Sequence, residues 1–214
     1  MSANHAAFNL IFRFVENYVS PIAGRISSQR HVMAIRDGFI SAMPFMIVGS
    51  FLLVFAYPPF SPDTTWGFAR AWLDMAKQFE GQILTPFDMT MGIMSIYICA
   101  AIAYNLGKHY VKSHQLDPFM CAMLSLMAFL LVAAPKTKGT LPVDSLGGTG
   151  IFTAILVAIY CVEMMRFLKA HNIGIRLPDQ VPPMIKNSFD LLIPVLVVVV
   201  TLYPLSLVIQ SQFG

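Results

Sequence analysis

Stretches without any charged residue alternate along this chain with segments that carry the charged residues. Five of the charge-free stretches approach the length of a membrane-spanning helix, which needs roughly 20 mainly apolar residues. They are residues 38–57, 89–106, 118–134, 147–162 and 191–209. Because an ion at the centre of a span costs about 2.5–3.5 kcal/mol on insertion, charge-free runs of this length indicate helices in a bilayer. The pattern therefore predicts an all-α, polytopic membrane protein with five transmembrane helices.

Two segments outside the predicted spans have the period of an amphipathic helix. In residues 1–37, the polar positions that recur on one face before the break at Pro21 are Asn9, Arg13, Glu16, Asn17 and Ser20. Between the first two spans, the positions with a helical period are Trp66, Ala69, Leu73, Ala76, Phe79 and Ile83. Both segments are predicted to be interfacial helices, and packing against another subunit is the alternative for the first. Trp66 and Trp72 are interpreted as interface anchors, in preference to a sugar-stacking platform.

Lys and Arg residues collect on one side of the membrane in this five-span arrangement. Ten of the fourteen lie before the first span, between the second and third spans, or between the fourth and fifth. Because cytoplasmic loops retain basic residues, residues 1–37, 107–117 and 163–188 are predicted to be cytoplasmic. The chain then divides into a cytoplasmic amphipathic region, residues 1–37, and a five-span membrane domain, residues 38–214.

Composition narrows the possible classes of function. Hydrophobic residues make up 57% of the 214 positions and charged residues only 12%, which excludes an ordinary soluble domain. The net charge of +3 is small and the basic residues are scattered, so nucleic-acid binding has no support. Cys99, Cys121 and Cys161 each lie in an apolar run. They are interpreted as small buried hydrophobic residues, not as disulfide partners or metal ligands.

Sequence motifs for enzymatic chemistry are absent. The chain has no nucleophile elbow, Walker loop or dinucleotide fingerprint, and its five histidines are interpreted as solvated loop residues. No catalytic residue, metal site or cofactor is predicted. Ionisable residues border the spans: Glu163 and Arg166 are spaced to pair along a helix, and Asp190 lies beside the fifth span. We interpret all three as structural.

Four segments of the sequence carry a resemblance to a known family. Residues 31–40 read HVMAIRDGFI and precede Met43-Pro44, and residues 175–183 read IRLPDQVPP and precede Ser188-Phe189 and residues 192–194. The other two are residues 92–95 and the pair Leu146-Gly147. In order and spacing they resemble the lactose/cellobiose-type sugar permeases of the bacterial phosphotransferase system, the membrane components called enzyme IIC. The likeness covers nearly the whole chain.

The resemblance implies a family fold of ten transmembrane helices in two sets of five, working as a homodimer. It implies that the first five helices build much of the subunit interface, while the later half carries the re-entrant hairpins and the residues that hold the sugar. This chain resembles only the first half, so no sugar-binding residue can be assigned to it. In the family, phosphoryl groups are carried by separate IIA and IIB components, and the cysteines of this chain are unsuited to that role.

The loop before the fifth span is the candidate functional segment. Prolines lack an amide donor and bias the preceding residue toward extended backbone, so this loop is predicted to be stiff. Its candidate residues are Arg176, Pro178, Asp179, Pro182 and Pro183. The loop could act as a rigid lever between helices or as a docking edge for the phosphoryl-donor component. We favour the lever, because a docking site would be expected to show more clustered charge.

Together these observations predict a multi-pass protein of the bacterial inner membrane with a cytoplasmic amino terminus. It is expected to be the permease component that translocates a disaccharide of the cellobiose, chitobiose or lactose type for coupled phosphorylation. Expected partners are the IIB component, the sugar, membrane lipid and a second copy in a homodimer. The alternative is a truncated membrane scaffold that transports nothing. Neither the particular sugar nor its binding residues can be predicted.

Overall fold

The computed structural model of the protein describes residues 16, 17, 20–133, 143–175, 180, 182, 185 and 189–213, and these residues form no strand. The α-helices in this part of the chain are α1 (Ser20–Ser27), α2 (Arg30–Ala56), α3 (Gly67–Thr90), α4 (Met94–His114), α5 (Pro118–Ala133), α6 (Ile151–Ala170) and α7 (Leu192–Phe213). Two 3-10 turns, Val143–Ser145 and Gly148–Gly150, precede α6. The all-α prediction is therefore confirmed.

In the part of the chain that the structure describes, four helical segments are long and apolar enough to cross a membrane. They are Arg30–Ala56, Gly67–His114, Gly148–Ala170 and Leu192–Ile209, and to within one residue they cover four of the five predicted spans. The remaining predicted span corresponds to α5, which is apolar but has only 16 residues. At about 1.5 Å per residue it reaches about 24 Å, less than the roughly 30 Å of hydrocarbon in a bilayer. The count of five spans therefore stays a prediction.

Helix α4 lies at the centre of the bundle and packs against α2, α5 and α6. Its side chains at Ile98, Ile102 and Leu106 are completely buried. Cys99, Cys121 and Cys161 are also buried and free, on α4, α5 and α6 respectively, as the sequence predicted. The core of the protein is therefore the shared interior of α4 and its neighbours.

Close contact with α4 and α3 explains which residues α2 buries. All of them are small: Ala34, Gly38, Ala42, Gly49 and Ala56. A Cβ atom placed on Gly38 would lie 2.9 Å from the Ile102 amide nitrogen, so only glycine fits at this crossing. Because lipid tails are as apolar as leucine, helices in a bilayer associate through close packing, which small residues permit. Many of the large side chains of α2 are exposed, and Phe51 is 63% exposed.

The helix predicted between the first two spans is present as α3 and bends across the end of α2. Trp72 donates its indole N–H to the Phe55 carbonyl at 3.2 Å, and a Cβ on Gly49 would lie 2.6 Å from the Met91 Cβ. By helical rise, Trp72 and Met91 lie about 28 Å apart along the chain of α3. Their contacts on α2, Phe55 and Gly49, lie only about 9 Å apart. α3 therefore cannot run alongside α2 over its whole length, and its backbone bends at Phe79 (φ −112°, ψ 15°).

The amino-terminal region differs from its prediction at Pro21. The sequence pattern ends an amphipathic helix at this residue, but α1 begins at Ser20 and continues through Pro21 to Ser27. Proline is tolerated in the first turn of a helix, since the first amide groups have no partner within the helix. Of the predicted polar stripe, Asn9 and Arg13 lie outside the described residues. Glu16 and Asn17 are exposed.

The α2–α4 contact gives a testable prediction. Gly38→Ala is expected to destabilise the protein by about 1–3 kcal/mol, because the added methyl group meets the Ile102 backbone. Gly24→Ala on α1 is the matched control, since nothing lies within 4 Å of the position that its Cβ would take. The measurement is the thermal unfolding midpoint of each variant in detergent micelles. A Gly38→Ala midpoint equal to that of the unsubstituted protein would mean that α2 and α4 do not pack this closely.

Candidate functional site

The Glu163 carboxylate joins three helices at one end of the bundle. His31 Nε2 of α2 lies 2.9 Å from Oε1, and the Tyr110 hydroxyl of α4 donates to the same oxygen at 2.6 Å. Arg166, one turn further along α6, contacts Oε2 at 2.6 Å. We call this end of the bundle, where α2 begins and where α4 and α6 end, the basic end. Both carboxylate oxygens are therefore satisfied by side chains from α2, α4 and α6.

The Tyr110 ring is the packing centre of the same group. It is only 1% exposed, although the side chains around it are polar. The guanidinium carbons of Arg30 and Arg166 lie 5.6 and 5.1 Å from the ring centroid, and the His114 ring meets it edge-on at 5.7 Å. We call this group the Tyr110 cluster, and its members are Arg30, His31, Tyr110, His114, Glu163 and Arg166. It presents two guanidinium groups against one carboxylate.

The structure confirms one sequence interpretation within this cluster and corrects another. Glu163 and Arg166 pair along the helix face, as their spacing predicts. His31, however, is not a solvated loop histidine, because α2 begins at Arg30 and carries the His31 ring to Glu163. His109 and His114 are also helical, on α4. The link between His31 and Glu163 joins residues 132 positions apart, so no local spacing could have indicated it.

A second ion pair connects the end of α6 to the start of α7. Lys169 Nζ lies 2.7 Å from Asp190 Oδ2, and both side chains are largely withdrawn from solvent. This contact supports the structural interpretation of Asp190. A cavity of about 620 Å³ opens beside the pair, and its lining includes Ser113 and Gln115 near the end of α4 and Ile175 in the loop after α6.

The predicted lever or docking loop is only partly described. Arg176, Pro178, Asp179 and Pro183 lie outside the described residues. Pro182 is exposed, and its carbonyl accepts a hydrogen bond from the Ile185 amide at 3.0 Å. The choice between a lever and a docking edge therefore stays a prediction.

At the opposite end of the bundle, two segments that carried the family resemblance meet each other. The Ser95 amide donates to the Leu146 carbonyl at 3.0 Å, and the Ser95 hydroxyl donates to the Gly147 carbonyl. A Cβ atom on Gly147 would lie 3.0 Å from the Gly92 carbonyl oxygen. The loop before α6 thus holds the beginning of α4. The sequence indicates both segments but not their contact.

The groups described above can hold helices together and attract anions. In the described part of the chain, no group of three His, Cys, Asp or Glu side chains could hold a metal ion. Glu163 and Asp190 each have a basic partner, so neither stands as an unpaired carboxylate. The groups that remain available at the basic end are cationic donors.

Comparison with known proteins identifies the family. The family described as "Phosphotransferase system, EIIC" matches residues 36–214. A cellobiose-specific EIIC component of Geobacillus stearothermophilus is 35% identical over 92% of this chain and 45% of its own length. A lactose-specific EIICB component of Lactococcus lactis subsp. lactis is 32% identical over 91% of this chain and 34% of its own length. The chain spans about half the length of the curated relatives it matches, or less.

A solved structure agrees with this assignment. The transporter ChbC, the IIC component from the N,N'-diacetylchitobiose-specific phosphotransferase system, is 34% identical and superimposes with a TM-score of 0.77. The match covers 92% of this chain and 47% of ChbC. The resemblance read from the sequence is therefore confirmed, and the apolar helices belong to a multi-pass membrane protein. The chain belongs to the EIIC family of the phosphotransferase system, the family of its membrane components.

Proposed function

We propose that this chain forms part of a sugar permease that translocates a β-linked disaccharide for phosphorylation by other components. The observation that carries the proposal is the EIIC match over residues 36–214, which is accompanied by a fold similar to that of a solved IIC transporter. The described helices supply a packed membrane unit, and phosphoryl transfer is assigned to partner proteins. On this proposal the chain is a transport component and not itself an enzyme.

The substrate class comes from the relatives. Their names specify cellobiose, lichenan, lactose and oligo-β-mannoside, and the solved transporter belongs to a diacetylchitobiose system. These sugars share β-glycosidic links. We therefore propose a β-linked disaccharide or a related oligosaccharide for this chain, without a choice among them.

The proposed partners are a IIB component and a second copy of the chain. Relatives named EIICB join the C and B components in one protein, which supports a IIB partner at the membrane. α2 and α7 expose large apolar side chains such as Phe51 and Leu196. Such faces suit lipid or another helix, and they leave room for a homodimer interface.

A bacterial inner-membrane location with a cytoplasmic amino terminus completes the proposal. It is supported by the basic residues that precede α2 and that lie near the ends of α4 and α6. The basic end of the bundle would then face the cytoplasm, where a phosphoryl donor is available.

A non-transporting membrane scaffold remains the second candidate. The helix packing described above would serve such a scaffold, since α2, α4 and α6 are held together by contacts among their own side chains. Such a scaffold would keep the helix packing described above and lack sugar uptake.

Uptake is the direct test of the permease proposal. Residues 1–214 alone, with the soluble carriers present, are expected to give no sugar uptake, because sugar-binding residues are expected in the remainder of the family fold. Co-expression of the unmatched part of the cellobiose-specific relative should restore saturable uptake of radiolabelled cellobiose. Uptake by residues 1–214 alone would mean a complete smaller transporter, and none even after co-expression would support the scaffold.

The orientation has its own test. In a background with the three buried cysteines replaced, Ser113→Cys and Asn172→Cys should resist an impermeant thiol reagent in intact cells, because both are placed in the cytoplasm. Thr64→Cys should react. Permeabilised cells provide the control, since all three positions should then be labelled. The opposite pattern in intact cells would reverse the assigned orientation.

The loop before α7 gives a further test. Pro182→Ala combined with Pro183→Ala should slow sugar translocation by the assembled permease, because a more flexible loop transmits helix movement poorly. Affinity for the IIB partner should not change. The two quantities are measured as uptake rate and as partner binding in detergent. Weaker partner binding with a normal rate per bound complex would favour docking over the lever.

A further inference from the structure

The Tyr110 cluster carries more positive charge than its own carboxylate balances. Glu163 pairs with Arg166, but no ion pair to Arg30 occurs among the residues that the structure describes. Arg30 is exposed, and the side chains of His31 and Arg166 are 43% and 41% exposed. The cluster therefore presents partly accessible cationic donors, and Arg30 among them lacks an acidic partner in this part of the chain.

Contact with Tyr110 holds these guanidinium groups at one place on the bundle. A guanidinium has five N–H donors, so the contacts of Arg30 with Tyr110 and of Arg166 with Glu163 leave further donors for a phosphate. Because Tyr110 is buried and its hydroxyl is fixed on Glu163, the ring is a rigid support. Arg30 and Arg166 meet this one ring from two different helices, so their positions relative to each other are defined by the fold.

The depth of the cluster in the membrane indicates which kind of phosphate compound it would bind. The predicted spans in α4 and α6 end at Leu106 and Val162, and Tyr110 and Arg166 each lie four residues further along. Four residues correspond to about 6 Å of helical rise. The headgroup layer extends about 5–7 Å beyond the hydrocarbon on each side. The guanidinium groups consequently lie at the level of lipid phosphates, and this favours a membrane lipid over a soluble partner.

We propose that the Tyr110 cluster binds the phosphate of an anionic phospholipid headgroup through Arg30 and Arg166. A lipid held there would bridge the start of α2 and the end of α6, which the His31–Glu163 contact already brings together. The proposal goes beyond sugar transport and does not depend on it. It rests on the positions of the cluster residues and on the membrane placement of the helices.

The test compares lipid binding by two matched variants. Arg30→Gln removes a stacked cation from the cluster. Lys108→Gln removes a cation that stacks on Tyr104 at 4.4 Å, at a similar depth on α4 but away from the cluster. Binding of phosphatidylglycerol and of phosphatidylcholine to the purified full chain in detergent is measured by native mass spectrometry. Arg30→Lys keeps the charge and reports on the contribution of the planar guanidinium.

Arg30→Gln should weaken phosphatidylglycerol binding about tenfold or more, the effect of losing a charge-assisted hydrogen bond. Lys108→Gln should weaken it by no more than about fivefold, since it removes only general surface attraction. Arg30→Lys should fall between the two, and phosphatidylcholine binding should change less in each variant, because its choline group offsets the charge of its phosphate. If Arg30→Gln does not fold, a weakening by Arg30→Lys that exceeds that of Lys108→Gln carries the same conclusion.

Three outcomes would overturn the proposal. If Arg30→Gln and Lys108→Gln weaken phosphatidylglycerol binding equally, the effect comes from general surface charge and not from the Tyr110 cluster. Displacement of phosphatidylglycerol by inorganic phosphate at the same concentration would identify a free-phosphate site instead. Unchanged lipid binding together with lost IIB binding in Arg30→Gln would make the cluster a docking surface for the soluble partner.

Discussion

The close approach of α2 to α4 is the contact on which the rest of the bundle depends. In a bilayer, burial of apolar surface drives helices together only weakly, because the lipid is equally apolar, and van der Waals contact must supply the attraction. α2 meets this requirement with small residues along its buried face, and Gly38 at the crossing leaves no space for a side chain against Ile102. The close packing of α2 on α4 also brings the first turn of α2 to the Tyr110 ring on α4.

Polar contacts then fix the two ends of the packed helices. At the basic end the Glu163 carboxylate receives donors from three helices, and removal of its partners would leave a partly buried charge that is costly to keep. At the opposite end Ser95 binds the loop before α6 through both its amide and its hydroxyl. The middle of the bundle is therefore held by close van der Waals packing, and its ends by hydrogen bonds and ion pairs. A shift of α6 along α4 would break contacts at both ends.

The sequence predicted the features of this structure that depend on local spacing. Charge-free runs located the apolar helices, the period from Trp66 to Ile83 located α3, and the three-residue spacing of Glu163 and Arg166 gave their pairing. Contacts between distant segments were missed. His31 was assigned to a loop because nothing near it in sequence reveals Glu163, and the family resemblance marked Ser95 and Gly147 without indicating that they touch. At Pro21 the error was local, because proline breaks a helix interior but can also stand in the first turn of the next helix.

Helix α7 packs mainly against α5 and α6 rather than against the central α4, so its movement would leave the contacts of α2 with α4 intact. Its buried residues occur at every fourth position, Pro194, Val198, Leu202 and Ser206, so one narrow stripe faces α5 and α6. Apart from this stripe, α7 is held by the Tyr160–Thr201 hydroxyl contact and by the Lys169–Asp190 pair before its first turn. A force applied through the loop before α7 would therefore act on a helix with a narrow buried face, while α2, α4 and α6 stay fixed to one another through Glu163. A lever there is consequently compatible with a rigid core, whereas a similar movement of α2 would break the Gly38 contact and the Tyr110 cluster together.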